Sequence, residues 1–154
     1  ENKRYILYNI VKGVINMSEL NVKSADGINE FGKQYRVLLV DDSAFVVKQL
    51  QQIFISENYK VVGTAENGEE GVSMYKEHKP DLVTLDITMP KMDGITALTK
   101  IIEFDKEAKV VMVSALGKED MVKKALLAGA KNYITKPLDR KKVLERIRMV
   151  LEKK

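Results

Sequence analysis

The sequence predicts an α/β protein, a doubly wound parallel sheet with helices on both faces, and three observations carry that prediction. Five short apolar runs rich in β-branched residues alternate with amphipathic stretches between Arg36 and Glu152. The runs are continuous rather than alternating in polarity, as in strands covered on both faces. Asn67, followed three residues on by Glu70, matches a capping box between the second run and the amphipathic stretch after it.

Each element follows in order. RVLLV, Arg36 to Val40, is the first strand, and SAFVVKQLQQIFISEN after it is a helix with Phe45, Leu50, Ile53 and Phe54 at helical intervals. KVVGTA, Lys60 to Ala65, is the second strand, and the capped segment after it is helical to His78. DLVTLD, Asp81 to Asp86, is the third strand and precedes a helix over 93–104. AKVVMVS over 108–114 is the fourth, before a helix over 118–129 that ends at Gly129. KNYIT over 131–135 is the fifth, and a helix over 138–152 closes the series.

The chain of 154 residues suits one domain with a modest extension. A composition 45% hydrophobic and 31% charged excludes a disordered polypeptide and a membrane span. The net charge of +4 is densest at the end, where Arg140, Lys141, Lys142, Arg146 and Arg148 lie. Without interleaved aromatics that run reads as a solvated helix face rather than a nucleic-acid stripe. The absence of cysteine excludes disulfides and thiol chemistry.

Residues 1–34 read as an N-terminal extension and linker, and 35–154 as the domain. YILYNIVKGVI places Leu7, Ile10, Val11 and Val14 at helical spacing, but Lys12 and Gly13 interrupt it and it is far shorter than the ~20 apolar residues of a span. The same lysine, with no small-residue cleavage site after it, argues against a signal peptide. The chain starts at Glu1, and Met17 stands as an internal start, with a partner-binding helix as the other reading of residues 1–16. Ser, Asn, Asp and two glycines over 18–34 give that stretch its linker character.

In an open parallel sheet the ligand sits at the carboxyl ends of the strands. Asp41 and Asp42 follow the first strand here, Asp86 ends the third, Ser114 ends the fourth ahead of Ala115, and Lys136 and Pro137 follow the fifth. One such carboxylate is an ordinary helix cap, and Asp42 or Ser43 suits that role. Three of them at about 4 Å would repel by on the order of 4 kcal/mol per pair, so the cluster calls for a cation. Hard oxygen donors without His or Cys select Mg²⁺, Mn²⁺ or Ca²⁺, and an open site with few protein ligands is the habit of Mg²⁺. A carboxylate beside Mg²⁺, with a lysine, a hydroxyl and the Ala115 backbone N–H nearby, is what phosphoryl transfer to Asp86 requires.

VDD at 40–42, LDITMP with Asp93-Gly94, VSA at 113–115 and YITKP at 133–137 occur in this order at these strand ends. With them the chain resembles the receiver domains of two-component response regulators, over Arg36 to about Leu151, and most of all the single-domain chemotaxis members. The strand order 2-1-3-4-5 comes with that resemblance. It implies that Asp86 is the phosphoacceptor, that Asp41, Asp42 and Asp86 hold Mg²⁺ with the Thr88 backbone carbonyl as a further ligand, and that Lys136 and the Ala115 N–H contact the phosphoryl group. Ser114 is implied as the switch hydroxyl. Tyr133 alone reads as a core aromatic, and its place two residues before Thr-Lys-Pro implies the switch role. A cis Lys136–Pro137 bond is implied too.

The expected function is a phosphorylation switch in the cytoplasm, monomeric, that acts on no external substrate and catalyses only its own phosphorylation and dephosphorylation. The resemblance implies a histidine kinase of the CheA type as donor, a flagellar switch protein of the FliM type as target and a dedicated phosphatase, with no nucleic-acid or membrane partner. Its output surface would lie on the helix over 118–129, the fifth strand and the last helix. His78, the only histidine, reads as a solvated helix end, which places the phosphoryl donor elsewhere. Thr88 and Leu116 occupy the two positions that tune phosphate lifetime in such proteins. Leucine cannot orient water, so slow to moderate self-hydrolysis is expected. A phosphorelay intermediate or the receiver half of a larger regulator is the alternative within the family. An Mg²⁺-dependent phosphatase would want Asp-x-Asp on the first strand, and a flavin carrier would not place Asp41 and Asp42 against the flavin phosphate.

Overall fold

The computed structural model describes residues 3–13 and 25–152. A helix α1 (Lys3–Val11) precedes five strand–helix units: β1 (Arg36–Val40), α2 (Ala44–Ser56), β2 (Lys60–Ala65), α3 (Gly68–His78), β3 (Leu82–Leu85), α4 (Gly94–Phe104), β4 (Val110–Ser114), α5 (Glu119–Leu127), β5 (Asn132–Thr135) and α6 (Arg140–Glu152). All strand pairs are parallel, in the order β2-β1-β3-β4-β5. The doubly wound α/β class expected from the sequence is the class observed.

Period-two alternation within each apolar run sends successive side chains to opposite faces, and both faces are filled. Leu38, Val40, Val83, Leu85, Val110 and Met112 pack with α3, α4 and α5, whereas Val37, Leu39, Leu82, Val111 and Val113 pack with α2 and α6. Leu98 and Ile101 of α4 are fully buried in the first layer, and truncating either to alanine would cost about 2–5 kcal/mol.

Local chemistry shifts several element ends inward from their expected places. β3 spans Leu82–Leu85, and its flanking aspartates use their side chains locally, Asp81 accepting from the Arg36 N–H and Asp86 from the Ile87 N–H, while their own N–H groups still bond the Arg36 and Val40 carbonyls. Ala108 closes a turn on Asp105, so β4 begins at Val110. α5 stops at Leu127, where the Ala130 N–H reaches back to the Ala125 carbonyl and Gly129 takes φ +116°. Asp139 accepts from the Lys141 N–H and delays α6 to Arg140. Asn67 caps α3 through the Glu70 N–H as expected, while Glu70 reaches the Glu66 N–H rather than closing the box on Asn67. Lys136–Pro137 is cis.

Phe45 is a correction. It is 71% exposed, because steps of four back from Phe54 and Leu50 reach Val46 and leave Phe45 about 100° round the helix from the buried stripe of α2. In α1, Leu7 and Val11 are exposed, and Val14 lies outside the described residues, as does Met17.

The stretch expected as linker is bound to the domain from Asp26 onward. Asn29 accepts from the Phe31 and Lys33 N–H groups in a tight turn that bridges Ile28 to Gln34. The Gly27 N–H donates to the Glu57 carbonyl at 2.7 Å, and the Asp26 carboxylate pairs with Arg148 of α6 at 2.9 Å. Among the described residues, no helix is long and apolar enough to cross a membrane.

Candidate functional site

Four of the residues predicted at the strand ends converge. The Asp41 N–H continues the ladder onto the Ala65 carbonyl and its Oδ1 accepts from the Ser43 N–H, so the side chain is fixed just beyond β1. The Asp86 N–H bonds the Val40 carbonyl at 3.0 Å, and its Oδ1 accepts from the Ile87 N–H at 2.8 Å. Carboxylate oxygens of Asp41, Asp42 and Asp86 lie within 4.8 Å of one another, with Asp41 and Asp86 buried and Asp42 exposed. Lys136, whose N–H is anchored on the Ser114 carbonyl, brings its Nζ to 2.9 Å from Asp41 Oδ2 and 3.6 Å from Asp86 Oδ2.

Three carboxylates against one ammonium leave two negative charges uncompensated if all are ionised. Burial, followed by the neighbouring Asp41 carboxylate, raises the Asp86 pKa above its ordinary value; Lys136 and the Ile87 N–H oppose the rise, and Asp42 adds to it. Asp41 Oδ2 is buried and makes no hydrogen bond, and its close neighbour is the Lys136 ammonium at 2.9 Å. A buried anionic oxygen without a hydrogen bond, facing two further carboxylates, fits a hard divalent cation of the Mg²⁺ kind.

The other predicted residues flank this centre. Ser114, buried at the end of β4, accepts at Oγ from the Leu116 N–H at 3.1 Å. The Tyr133 hydroxyl donates to the Leu116 carbonyl, so both expected switch side chains grip the backbone of one residue. Burial raises the Tyr133 pKa further above neutrality. Ala115, Leu116 and Thr88 are exposed on the loops around the carboxylates. His78 ends α3 away from this edge, its carbonyl bonded by Arg36.

Two backbone contacts escaped the sequence reading: the Ile87 N–H that orients Asp86, and the Leu116 peptide units that link Ser114 to Tyr133. A main-chain donor has no side-chain signature, so no residue type announced either. A groove of about 700 Å³ opens beside the centre, lined in part by Val122, Leu126, Tyr133, Lys136, Lys142 and Arg146.

Residues 37–148 match the family model of the response regulator receiver domain. The chain belongs to that family. Within it, the chain is 65% identical to chemotaxis protein CheY of Treponema pallidum over 135 residues, 86% of this chain and 94% of that one. It is 50% identical to CheY of Bacillus subtilis over 117 residues, 76% of this chain and 98% of the relative. Among solved structures, that of a CheX–CheY–BeF₃–Mg²⁺ complex from Borrelia burgdorferi superposes with a TM-score of 0.83 at 57% identity, covering 85% of this chain and all of the matched one. The protein is thus a CheY-like response regulator receiver.

Proposed function

We propose that this receiver is a chemotaxis switch in which Asp86 takes a phosphoryl group from a histidine kinase of the CheA type. The observation that carries the proposal is the triad Asp41, Asp42 and Asp86 beside Lys136, with Asp41 Oδ2 left without a hydrogen bond. An Asp86 carboxylate oxygen attacks phosphorus, an O–P bond forms, and the P–N bond to the donor imidazole breaks. The electron pair returns to the ring nitrogen, which takes up a proton. Asp41, Asp42 and Asp86, with the Thr88 carbonyl, would hold Mg²⁺, which when bound neutralises charge on the transferring oxygens. Lys136 adds the second positive charge, and the Ala115 N–H and the Ser114 hydroxyl meet the new phosphoryl oxygens.

In this reading the Ser114 side chain rotates to donate its O–H to a phosphoryl oxygen, which draws Oγ away from the Leu116 N–H that it now accepts from at 3.1 Å. Its rotation therefore frees Leu116, the residue that Tyr133 also holds, and biases the face formed by α5, β5 and α6. Driving such a switch from 1:99 to 99:1 takes about 5.5 kcal/mol of differential interaction. The basic and apolar groove on this face suits a flagellar switch protein of the FliM type, and motor control is the output we assign. The BeF₃ in the Borrelia burgdorferi complex has the shape of a bound phosphoryl group, and that CheY is held with Mg²⁺ and CheX. We therefore add a partner of the CheX kind and a dedicated phosphatase to the kinase. The protein acts in the cytoplasm as a monomer and has no substrate apart from its own phosphoryl group.

Amide chemical shifts recorded on addition of Mg²⁺ and BeF₃⁻ test this reading. Shifts in α5, β5 and α6 that vanish in Asp86→Ala are the expected result. A response confined to the loops around Asp86, or equal in the variant, would overturn the switch.

A further inference from the structure

Asp86 is aimed by a contact from outside its own strand. The loop 87–93 after it is closed at its base by the Gly94 N–H, which donates to the Ile87 carbonyl at 2.7 Å, and the Ile87 N–H in turn holds Asp86 Oδ1 at 2.8 Å. Asp93 caps α4 by accepting from the Ile95 and Thr96 N–H groups and the Thr96 hydroxyl, which sets the first helical turn directly against the strand end. The approach leaves no room for a side chain. A Cβ on Gly94 would stand 1.9 Å from the Asp86 carbonyl oxygen and 2.7 Å from the Ile87 Cα, both backbone atoms that cannot swing aside. On the far side, the Gly68 N–H of α3 donates to the Met92 carbonyl, and a Cβ there would meet that oxygen at 2.4 Å.

We propose that Gly94 is a positioning residue for Asp86, with Gly68 bracing the same loop from α3. The inference rests on the proposed phosphoacceptor role of Asp86. The requirement at Gly94 is space rather than backbone conformation, since its φ lies outside the left-handed region. Any side chain there pushes α4 away from β3 or pushes the Asp86 peptide toward the sheet edge. Either shift turns the carboxylate from Asp41 and from Lys136, and moves the Thr88 carbonyl with it. Loss of orientation at a metal-ligating carboxylate of this kind weakens metal binding about 10–100-fold.

The test compares Gly94→Ala, Gly68→Ala and Ile101→Val, the last destabilising α4 from its buried face about two turns beyond Gly94. Two readouts taken against the Mg²⁺ concentration c each give the Mg²⁺ half-saturation constant: the rise in Tm, fitted to RT ln(1 + c/Kd), and phosphorylation by acetyl phosphate followed by intact mass. Wild type and Ile101→Val are expected to share one half-saturation, with Gly94→Ala raised about tenfold or more and Gly68→Ala raised severalfold. A folded Gly94→Ala that titrates as the wild type does overturns the inference alone. A wild type that responds in neither readout overturns the proposed function, and the inference with it. Should Gly94→Ala fail to fold, Gly68→Ala becomes the deciding variant, and a half-saturation equal to that of Ile101→Val overturns the inference.

Discussion

Lys136 Nζ lies 2.9 Å from Asp41 Oδ2, and the same ammonium is 3.6 Å from Asp86, so one cation after β5 spans the ends of β1 and β3. It can offset one of the three carboxylates. The folded state therefore carries electrostatic strain in the absence of metal, and relief of that strain is measurable.

Asp86→Asn removes the charge and keeps an Oδ1 to accept from the Ile87 N–H. Because the folded-state pKa of Asp86 is raised, the native form binds its proton more tightly than the unfolded form. Stability is lost as pH rises from the ordinary carboxylate range toward the folded pKa. The variant is expected to be more stable than wild type at pH 7 without Mg²⁺, with the gap closing near pH 4. Urea unfolding in chelator at the two pH values measures it, and a variant less stable at pH 7 contradicts it.

Asp93 shifts in the opposite sense. The Thr96 N–H first, then its hydroxyl and the Ile95 N–H, hold the Asp93 pKa below its ordinary value against a smaller opposing effect of burial. Its contribution is present above the ordinary carboxylate range and is lost as pH falls through the lowered pKa. Asp93→Ala should cost about 1 kcal/mol at pH 7 and progressively less below pH 4. Thermal unfolding across pH reads the trend, and a cost that grows on acidification would be inconsistent with a charged cap.

Thr84 on β3 is 1% exposed, and its hydroxyl has no hydrogen-bond partner. Thr84→Val exchanges the buried hydroxyl for a methyl of like size. The expected result is stability unchanged or raised by up to about 1 kcal/mol. A clear loss in denaturant titration would mean that the hydroxyl is satisfied in solution.

The Asp26–Arg148 pair ties the segment before β1 to α6 across 122 positions of sequence. Asp26 is nearly buried and Arg148 partly exposed, so solvent screens the pair in part. A double-mutant cycle with alanine at each position should give a coupling of about 0.5–1 kcal/mol that falls in high salt. Zero coupling would show that this pair contributes nothing to holding residues 25–34 on the domain.

Leu116 is 41% exposed beside the carboxylates, and its side chain cannot direct a water molecule. Purified phosphoprotein should decay slowly to moderately, and Leu116→Asn should speed the decay severalfold by supplying a polar amide. Fast decay that is unchanged in Leu116→Ala would count against this role.

What the sequence disclosed follows from which interactions are local. Strand positions could be read because β-branched runs such as RVLLV and VVMVS are continuous wherever both faces are covered. The carboxylates stood out because each sits one or two residues past a run, where a parallel sheet gathers them. Phe45 misled because it and Val46 are adjacent apolar residues about 100° apart on the helix, and only Val46 lies in line with Leu50 and Phe54. The Asp26–Arg148 tie could not be read because distant pairs leave no periodic trace. The grip of Ser114 and Tyr133 on Leu116 was hidden because it runs through main-chain atoms that every residue possesses.

The switch stands or falls with Asp86 as the phosphoacceptor, and intact mass after incubation with acetyl phosphate and Mg²⁺ addresses that role without intermediaries. Wild type should gain one phosphoryl group that requires Mg²⁺, survives acid and is released by base, and Asp86→Ala should gain none. An equal gain in the variant, or no gain in wild type, would contradict the assignment.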